Sequence, residues 1–407
     1  MAHVRRFHAM AKPAGSACNL TCTYCYYLSK AHLQGGPGSG RMSPETLESF
    51  IRQYLEGHDH EQVVFSWQGG EPTLLGLDFF REVVRLERKY AGGKRIENDL
   101  QTNGTLLDDE WCEFLKENRW LVGLSIDGPR ELHDRFRVTR GGEPTFDRVV
   151  RSAGLLRKHG VAFNTLTVVS AANVKRPVQV YRFLTREIGS TYVQFMPCVE
   201  PKDFEAVAPQ RWDPAGLPKL GEPCARPGYP ESIVTEWSVD PDAYGEFLCR
   251  VFDEWYRADV GRVLVNLFET LVAQHLGRRS QLCVFGEFCG KAVAVEHDGS
   301  VYSCDHYVYP EYRLGDVHEA ALAEMVFSPR QEAFGYAKRD TLPTFCRQCQ
   351  HLSDCWGECP KNRFICTPMG DPGLNYLCRG LRTFFNHARP YVARIVGQLK
   401  APARGAN

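Results

Sequence analysis

The sequence lacks an excess of charge of either sign: 49 Lys and Arg residues balance 49 Asp and Glu residues, for a formal net charge of zero. Nothing global therefore draws it to nucleic acid or to an anionic membrane. It also lacks any apolar run near the roughly 18 residues that span a bilayer. Its opening, MAHVRRFHAMAKPAGSAC, has no continuous apolar core of a signal peptide. These absences predict a soluble, cytoplasmic protein with neither a nucleic-acid nor a membrane partner. At 407 residues the chain is long enough for one large α/β domain and a smaller one.

What the sequence has in abundance is cysteine. Sixteen occur in a chain without an export signal, and the cytosol keeps thiols reduced, so metal ligation is a better explanation than disulfides. Three of them, Cys18, Cys22 and Cys25, fall within eight residues of SACNLTCTYCYYL, with Tyr24 directly before the third. A structural zinc site or an ordinary four-iron cluster is closed by four protein ligands, so a cluster held by three keeps one metal position open for a substrate or cofactor. The alternative is a zinc site completed by a distant His or Cys.

Between residues 60 and 200 short β-favouring runs alternate with helical patterns: QVVFSW (62–67), RIENDLQT (95–102), WLVGLSID (120–127), VAFNTLTVV (161–169) and TYVQFMP (191–197). Leu47, Phe50, Ile51, Tyr54 and Leu55 form one apolar stripe behind a Ser43 N-cap and Pro44. Phe80, Val83 and Val84 begin another, and Phe146, Val149, Val150, Ala153 and Leu156 a third, ended by Gly160. A repeated βα pattern implies a parallel sheet whose ligands gather at the carboxyl ends of its strands. There the chain places the three-cysteine loop, QGGEPTLL (68–75), QTNGT (101–105) and SIDGPRELHDRFR (125–137). Paired glycines admit close backbone approach to a ligand, and Glu71 beside them is suited to an ammonium group. Gly-Gly before Pro also serves as a plain turn.

The CxxxCxxC spacing followed by GGEP after the second strand resembles the radical S-adenosylmethionine (SAM) superfamily. The resemblance implies a partial (β/α)6 barrel carrying a [4Fe-4S] cluster on Cys18, Cys22 and Cys25, with SAM chelating the open iron. It further implies that Tyr24, Gly69, Gly70 and Glu71 line the methionine part of SAM, and that Ser125 and Arg137 hold its carboxylate. The plainer reading of Ser125 and Arg137 is a capping serine and a solvated arginine.

Eight further cysteines lie toward the C-terminus. Cys283 and Cys289 precede a predicted β-hairpin, turned at Asp298-Gly299, that returns Cys304 to the same end. CRQCQHLSDCWGECPKNRF supplies Cys346, Cys349, Cys355 and Cys359, and LNYLCRG supplies Cys378. Eight thiolates suffice for two closed sites, and zinc is the competing metal because CxxC followed by CxxxC is also ribbon-like. The layout resembles the SPASM extension of peptide-modifying radical SAM enzymes. That match implies one auxiliary [4Fe-4S] cluster on Cys283, Cys289, Cys304 and Cys359 and another on Cys346, Cys349, Cys355 and Cys378, three clusters in all. Cys366 has no place in it: it is either a buried thiol or a competitor of Cys378. Cys112, Cys198, Cys224 and Cys249 are expected to be ordinary thiols. The expected division is a barrel over residues 1–230, a helical linker over 231–276 and a cysteine-rich SPASM domain over 277–407.

Within SPASM proteins the sequence is most similar to anaerobic sulfatase-maturating enzymes, from KPAGSACNLTCTYCYYL through SWQGGEPTLLG and CDHYVYPEYRLGD to GLNYLCRG. That family oxidises a Cys or Ser in a C/S-x-P/A-x-R segment of an unfolded sulfatase to Cα-formylglycine. The implied chemistry is loss of a Cβ hydrogen to the SAM-derived radical, of a proton to a base, and of one electron to an auxiliary cluster, with a carrier such as flavodoxin or ferredoxin as electron donor. The family match gives the base as Asp305, directly after Cys304, with Tyr27 orienting the substrate; the alternative for Asp305 is a turn cap. YSCDHYVYPEYR (302–313) is either peptide-channel lining or ordinary core aromatics. A maturase that crosslinks a ribosomally made peptide is the competing function; it would be favoured by a leader-recognition segment, and 17 residues precede Cys18.

Overall fold

A computed structural model describes residues 5–33 and 40–401. The Gly-rich QGGPGSG stretch and the APARGAN tail therefore lie, apart from Gly40 and Ala401, outside the described residues. Ten strands occur in chain order: β1 His8–Lys12, β2 Gln62–Trp67, β3 Arg95–Thr102, β4 Leu121–Ser125, β5 Phe163–Val169, β6 Tyr192–Pro197, β7 Leu264–Val265, β8 Ala292–Glu296, β9 Ser300–Tyr302 and β10 Arg313–Asp316. The chain divides into two compact units, one built from residues 1–166, 202–211 and 289–337, the other from 167–201, 212–288 and 338–407.

The first unit is an open mixed sheet in the order β10-β9-β8-β1-β2-β3-β4-β5. β1 to β5 run parallel, and β8 joins β1 in parallel, with Ala9 opposite Val293. β8, β9 and β10 are antiparallel, and the predicted hairpin at Asp298-Gly299 forms. The helices form where the apolar stripes predict. Helix Pro44–Glu56 buries Leu47, Phe50, Ile51, Tyr54 and Leu55, and the Ser43 side chain accepts from the Thr46 backbone N–H. Helix Phe146–His159 ends at Gly160 with φ of +64°, a left-handed cap that favours glycine. Trp67 and Trp120 stack with centroids 6.4 Å apart against Phe80 of helix Leu77–Tyr90. Because β1 to β5 run parallel, their carboxyl-end loops lie at one edge of the sheet.

The second unit holds β6 paired in parallel with β7, together with two long helices, Pro241–Ala258 and Cys378–Lys400. The helices cross at two glycines: a Cβ on Gly245 would stand 2.5 Å from the Gly380 Cα, and one on Gly380 only 1.9 Å from the Pro241 carbonyl oxygen. That crossing sets the position of Cys378 at the helix start.

Candidate functional site

The three-cysteine loop leaves β1 and is stitched to the loop after β2. The Gly70 N–H donates to the Gly15 carbonyl and the Glu71 N–H to the Ala17 carbonyl, both at 2.8 Å. A Cβ on Gly70 would lie 2.0 Å from the Ala17 oxygen, and Gly69 has φ of +126°. The close approach that the paired glycines permit here is therefore to the cysteine loop itself. Glu71 does not present the free carboxylate expected for an ammonium group. It is fully buried, with Oε1 accepting from the Thr73 N–H, the Thr73 hydroxyl and the Thr102 hydroxyl, and Oε2 from the Asn103 N–H. Three donors crowd Oε1 and one meets Oε2, so the carboxylate locks the loops after β2 and β3 together while Oε2 keeps one acceptor position.

On the other side, the Thr21 and Thr23 N–H groups donate to the carbonyls of Val138 and Phe136, at 2.9 and 3.0 Å. The stretch 136–139 that follows helix Arg130–His133 thus runs antiparallel along the cysteine loop. The three thiols are all partly exposed. Burial pushes Cys18 up to about 11, with the Glu71 charge adding, and Cys22 up to about 12 against the opposing pull of Arg137. Thiols so raised ionise only when a metal takes them, so ligation here releases protons.

Tyr24, Asp127 and Arg137 form a buried group beneath this loop. The Tyr24 hydroxyl donates to Asp127 Oδ2 and accepts from Arg137 Nη1 at 2.9 Å. Arg137 is 6% exposed rather than a solvated surface group, and its Nε–H is buried with no acceptor among the described residues. Ser125 accepts from Gln101 Nε2 at 2.9 Å, while exposed Arg140, which the sequence did not single out, donates from Nε to the Cys18 carbonyl at 3.0 Å.

Asp305 sits at the same strand edge. It does not cap its turn: one carboxylate oxygen pairs with Lys12 Nζ, and the other accepts from the Tyr26 hydroxyl at 2.7 Å. Burial raises its pKa, but Lys12, then His306 and the hydrogen bonds outweigh this and hold it at about 2. Tyr27 points its hydroxyl at Glu296 and packs with Ala294, Tyr302 and Val308. The two partners of Asp305 that sequence reasoning missed are thus Tyr26 and Lys12. Lys12 is the last residue of β1, which placed it at the ligand edge. Nothing in the tandem tyrosines said which would reach Asp305.

The C-terminal cysteines divide. Cys346, Cys349, Cys355 and Cys378 line one cavity in the second unit, together with Phe385 and Arg382. Burial pushes Cys346 up to about 11 and Cys355 up to about 12. Cys289 and Cys304 belong to the first unit, Cys283 and Cys359 to the second. Gln331, buried and unforeseen, donates from Nε2 to the Gly290 and Ser303 carbonyls at 2.9 Å, tying the segments of Cys289 and Cys304 together. Among the described residues no three His, Cys, Asp or Glu side chains converge closely enough to hold a single metal ion.

Two open points of the sequence close here. Cys366 does not line the cavity: its backbone pairs with Pro218 and Leu220, and its thiol faces the Leu217 carbonyl, as a buried structural residue. The tyrosines of 302–313 are packing residues. Tyr309 and Tyr312 donate to the Phe204 and Pro209 carbonyls at 2.5 and 2.7 Å, and Tyr302, Tyr307 and Tyr309 are buried.

Residues 13–184 match the family model of the radical SAM superfamily, and 283–350 that of an iron-sulfur cluster-binding domain. The fold and its cysteine loops thus define a radical SAM enzyme with an iron-sulfur domain behind it. The chain is 45% identical, over 95% of its length and 90% of the relative's, to the serine-type anaerobic sulfatase-maturating enzyme of Bacteroides thetaiotaomicron. It is 34% identical to the cysteine-type enzyme of Clostridium perfringens, over 96% of this chain and 98% of that one. A solved structure of native anSMEcpe with bound AdoMet and the Cp18Cys peptide superposes with a TM-score of 0.81, at 34% identity, covering 97% of this chain and 99% of that one. The chain belongs to the anaerobic sulfatase-maturating enzymes. Streptococcus suis SuiB, at 13% identity and a TM-score of 0.56, shares the fold alone.

Proposed function

We propose that the protein oxidises a Cys or Ser side chain in a C/S-x-P/A-x-R segment of an unfolded sulfatase to Cα-formylglycine. The observation that carries this reading is the Lys12–Asp305–Tyr26 group, which sets an ionised carboxylate beside the loop bearing Cys25. Cys18, Cys22 and Cys25 would hold a [4Fe-4S] cluster with SAM at its open iron, supplying a carbon radical able to take a Cβ hydrogen. The orphaned Nε–H of Arg137 fits an anionic group such as the SAM carboxylate. Tyr24 would act by holding Arg137, Ser125 by a second hydrogen bond to the carboxylate, and the backbone of Gly69 and Gly70 by shaping the site. Glu71 acts through the loop it locks.

Asp305 takes the proton. A carboxylate held at about 2 is a weak base toward a resting thiol of pKa about 8.5. It becomes competent once the Cβ hydrogen has gone and the S–H or O–H is far more acidic, which orders the steps and protects the peptide from premature deprotonation. Tyr26, rather than Tyr27, fixes the carboxylate's orientation. Cys283, Cys289, Cys304 and Cys359, and Cys346, Cys349, Cys355 and Cys378, would hold two auxiliary [4Fe-4S] clusters, which would supply a one-electron acceptor. The modules are the barrel over 1–230, the linker over 231–276 and the cluster domain over 277–407. Flavodoxin or ferredoxin would supply reducing electrons in the cytoplasm; among the described residues no helix is long and apolar enough to cross a membrane. Identity to the serine-type relative supports a serine target.

The test is turnover of matched Ser and Cys peptides under anaerobic conditions. A mass loss of about 2 Da from serine or about 18 Da from cysteine reports the aldehyde. Crosslinked product in place of aldehyde would favour the competing maturase reading.

A further inference from the structure

Cys355 and Cys359 are four residues apart, yet Cys355 lines the cavity of the second unit and Cys359 does not. Between them Trp356, Gly357 and Glu358 all adopt positive φ, at +46°, +67° and +50°. Two side-chain-bearing residues in the left-handed region persist only where their surroundings impose it. One side chain imposes it here. Buried Arg363 donates from Nη2 to the Trp356 carbonyl at 2.7 Å and the Glu358 carbonyl at 3.4 Å, and from Nε to the Gly357 carbonyl at 3.0 Å. Asn375 reinforces the turn, donating from Nδ2 to Glu358 Oε2 at 2.7 Å and to the Cys359 carbonyl at 3.3 Å.

The same guanidinium reaches a third cysteine segment. Its Nη1 donates to the Lys338 carbonyl at 2.6 Å, and the buried Lys338 ammonium donates to the Cys283 and Val284 carbonyls at 2.6 and 2.8 Å. Two buried cations therefore grip the backbones that carry Cys283, Cys355 and Cys359. We propose that Arg363, with Lys338 behind it, is the positioning residue of the auxiliary-cluster scaffold, holding the left-handed turn that sends Cys355 and Cys359 to separate ligand sets. The proposal rests on the two-auxiliary-cluster reading above. No other side chain can replace a planar fork that meets several carbonyls at once, and lysine, a point charge, cannot.

The experiment uses full-length protein, reconstituted anaerobically, with iron per chain and the EPR spectrum of the reduced clusters as readouts. Release of 5′-deoxyadenosine checks that the first unit remains folded. Wild type should hold about 12 irons, and Arg363→Gln and Arg363→Lys about 4 to 8, with one or both auxiliary EPR signals lost accordingly and 5′-deoxyadenosine retained. Lys338→Met should lose about four, those of the Cys283 set. A Cβ on Gly357 would meet Leu342 Cδ2 at 2.5 Å and, on the other side, Arg363 Nη2 at 2.8 Å and Cζ at 3.1 Å, so Gly357→Ala should displace the guanidinium as well as the leucine methyl and reproduce the loss. Trp356→Gly, which adopts positive φ freely, should keep full iron. Wild-type iron and EPR in Arg363→Gln overturn the proposal. If that variant does not accumulate as folded protein, full iron in Gly357→Ala overturns it equally. A wild type holding only about four irons fails the cluster reading itself, and the proposal with it.

Discussion

Asp305→Asn keeps the shape of the side chain and its bond to Tyr26 but deletes the charge that Lys12 faces. Lys12 is 2% exposed and its partner 13%, so the variant leaves a buried ammonium opposite a neutral amide. Breaking a buried pair on one side costs about 3–5 kcal/mol. The Tyr27 ring, 5.0 Å from Lys12 Nζ, offers the same cation–π contact before and after the substitution and does not offset that loss, which stands at about 3–5 kcal/mol. A fall in formylglycine from this variant alone would therefore confound proton transfer with folding. The double variant Lys12→Gln/Asp305→Asn separates them. Replacing both charges by neutral groups that bond each other should restore stability to within about 1 kcal/mol of wild type. Formylglycine should stay at least about 100-fold down, equivalent to about 2.7 kcal/mol of barrier, while 5′-deoxyadenosine release continues. The assay is anaerobic guanidinium unfolding followed by peptide turnover at matched iron content. Recovery of formylglycine in the double variant refutes the assignment of Asp305 as base, and a single variant as stable as wild type refutes the buried ion pair.

Gly70→Ala drives a methyl group into the Ala17 carbonyl, 2.0 Å away, and should lose about four irons and all SAM cleavage; retained cleavage would show that the loops are not stitched as described. Cys366→Ala should leave iron and turnover unchanged, whereas Cys378→Ala should cost about four irons; the reverse would exchange their roles. Buried His58 stacks on Phe7 with neither ring nitrogen bonded among the described residues, and burial, then Lys94 and Arg6, lowers its pKa to about 4. The fold therefore binds its neutral form. Its contribution to stability is complete above about pH 6.5 and declines by about 1.4 kcal/mol per unit as pH falls toward 4. His58→Phe should flatten stability against pH between 7 and about 5, and an unchanged slope would contradict the shift.

The parallel framework was legible because each strand is a short β-favouring run bounded by breakers: QVVFSW and RIENDLQT form to the residue as β2 and β3. The helices were legible from stripes and from caps such as Ser43 and Gly160. β1 was harder, since HAMAK has no β-branched residue, and with its limits unset Lys12 was not seen to close the strand at the ligand edge. The hydrogen bonds of Glu71 were hidden for a different reason. Its donors Thr102 and Asn103 come from another strand end, and no local spacing announces such partners. Tyr26 and Tyr27 lie in irregular turn, where neither the helical nor the strand period assigns faces, so only the fold decides which hydroxyl meets Asp305. Arg363 was invisible as well, because a guanidinium that binds backbone carbonyls leaves no partner residue in the sequence.

The most direct test of the account is a single anaerobic incubation of reconstituted protein with SAM, reductant and an S-x-P-x-R or C-x-P-x-R peptide, read by mass spectrometry alongside 5′-deoxyadenosine. The account predicts peptide aldehyde, lighter by about 2 Da from serine or about 18 Da from cysteine, formed only with SAM and abolished when Cys18, Cys22 and Cys25 are replaced. Deoxyadenosine release with both peptides unchanged in mass, at full iron content, would contradict it.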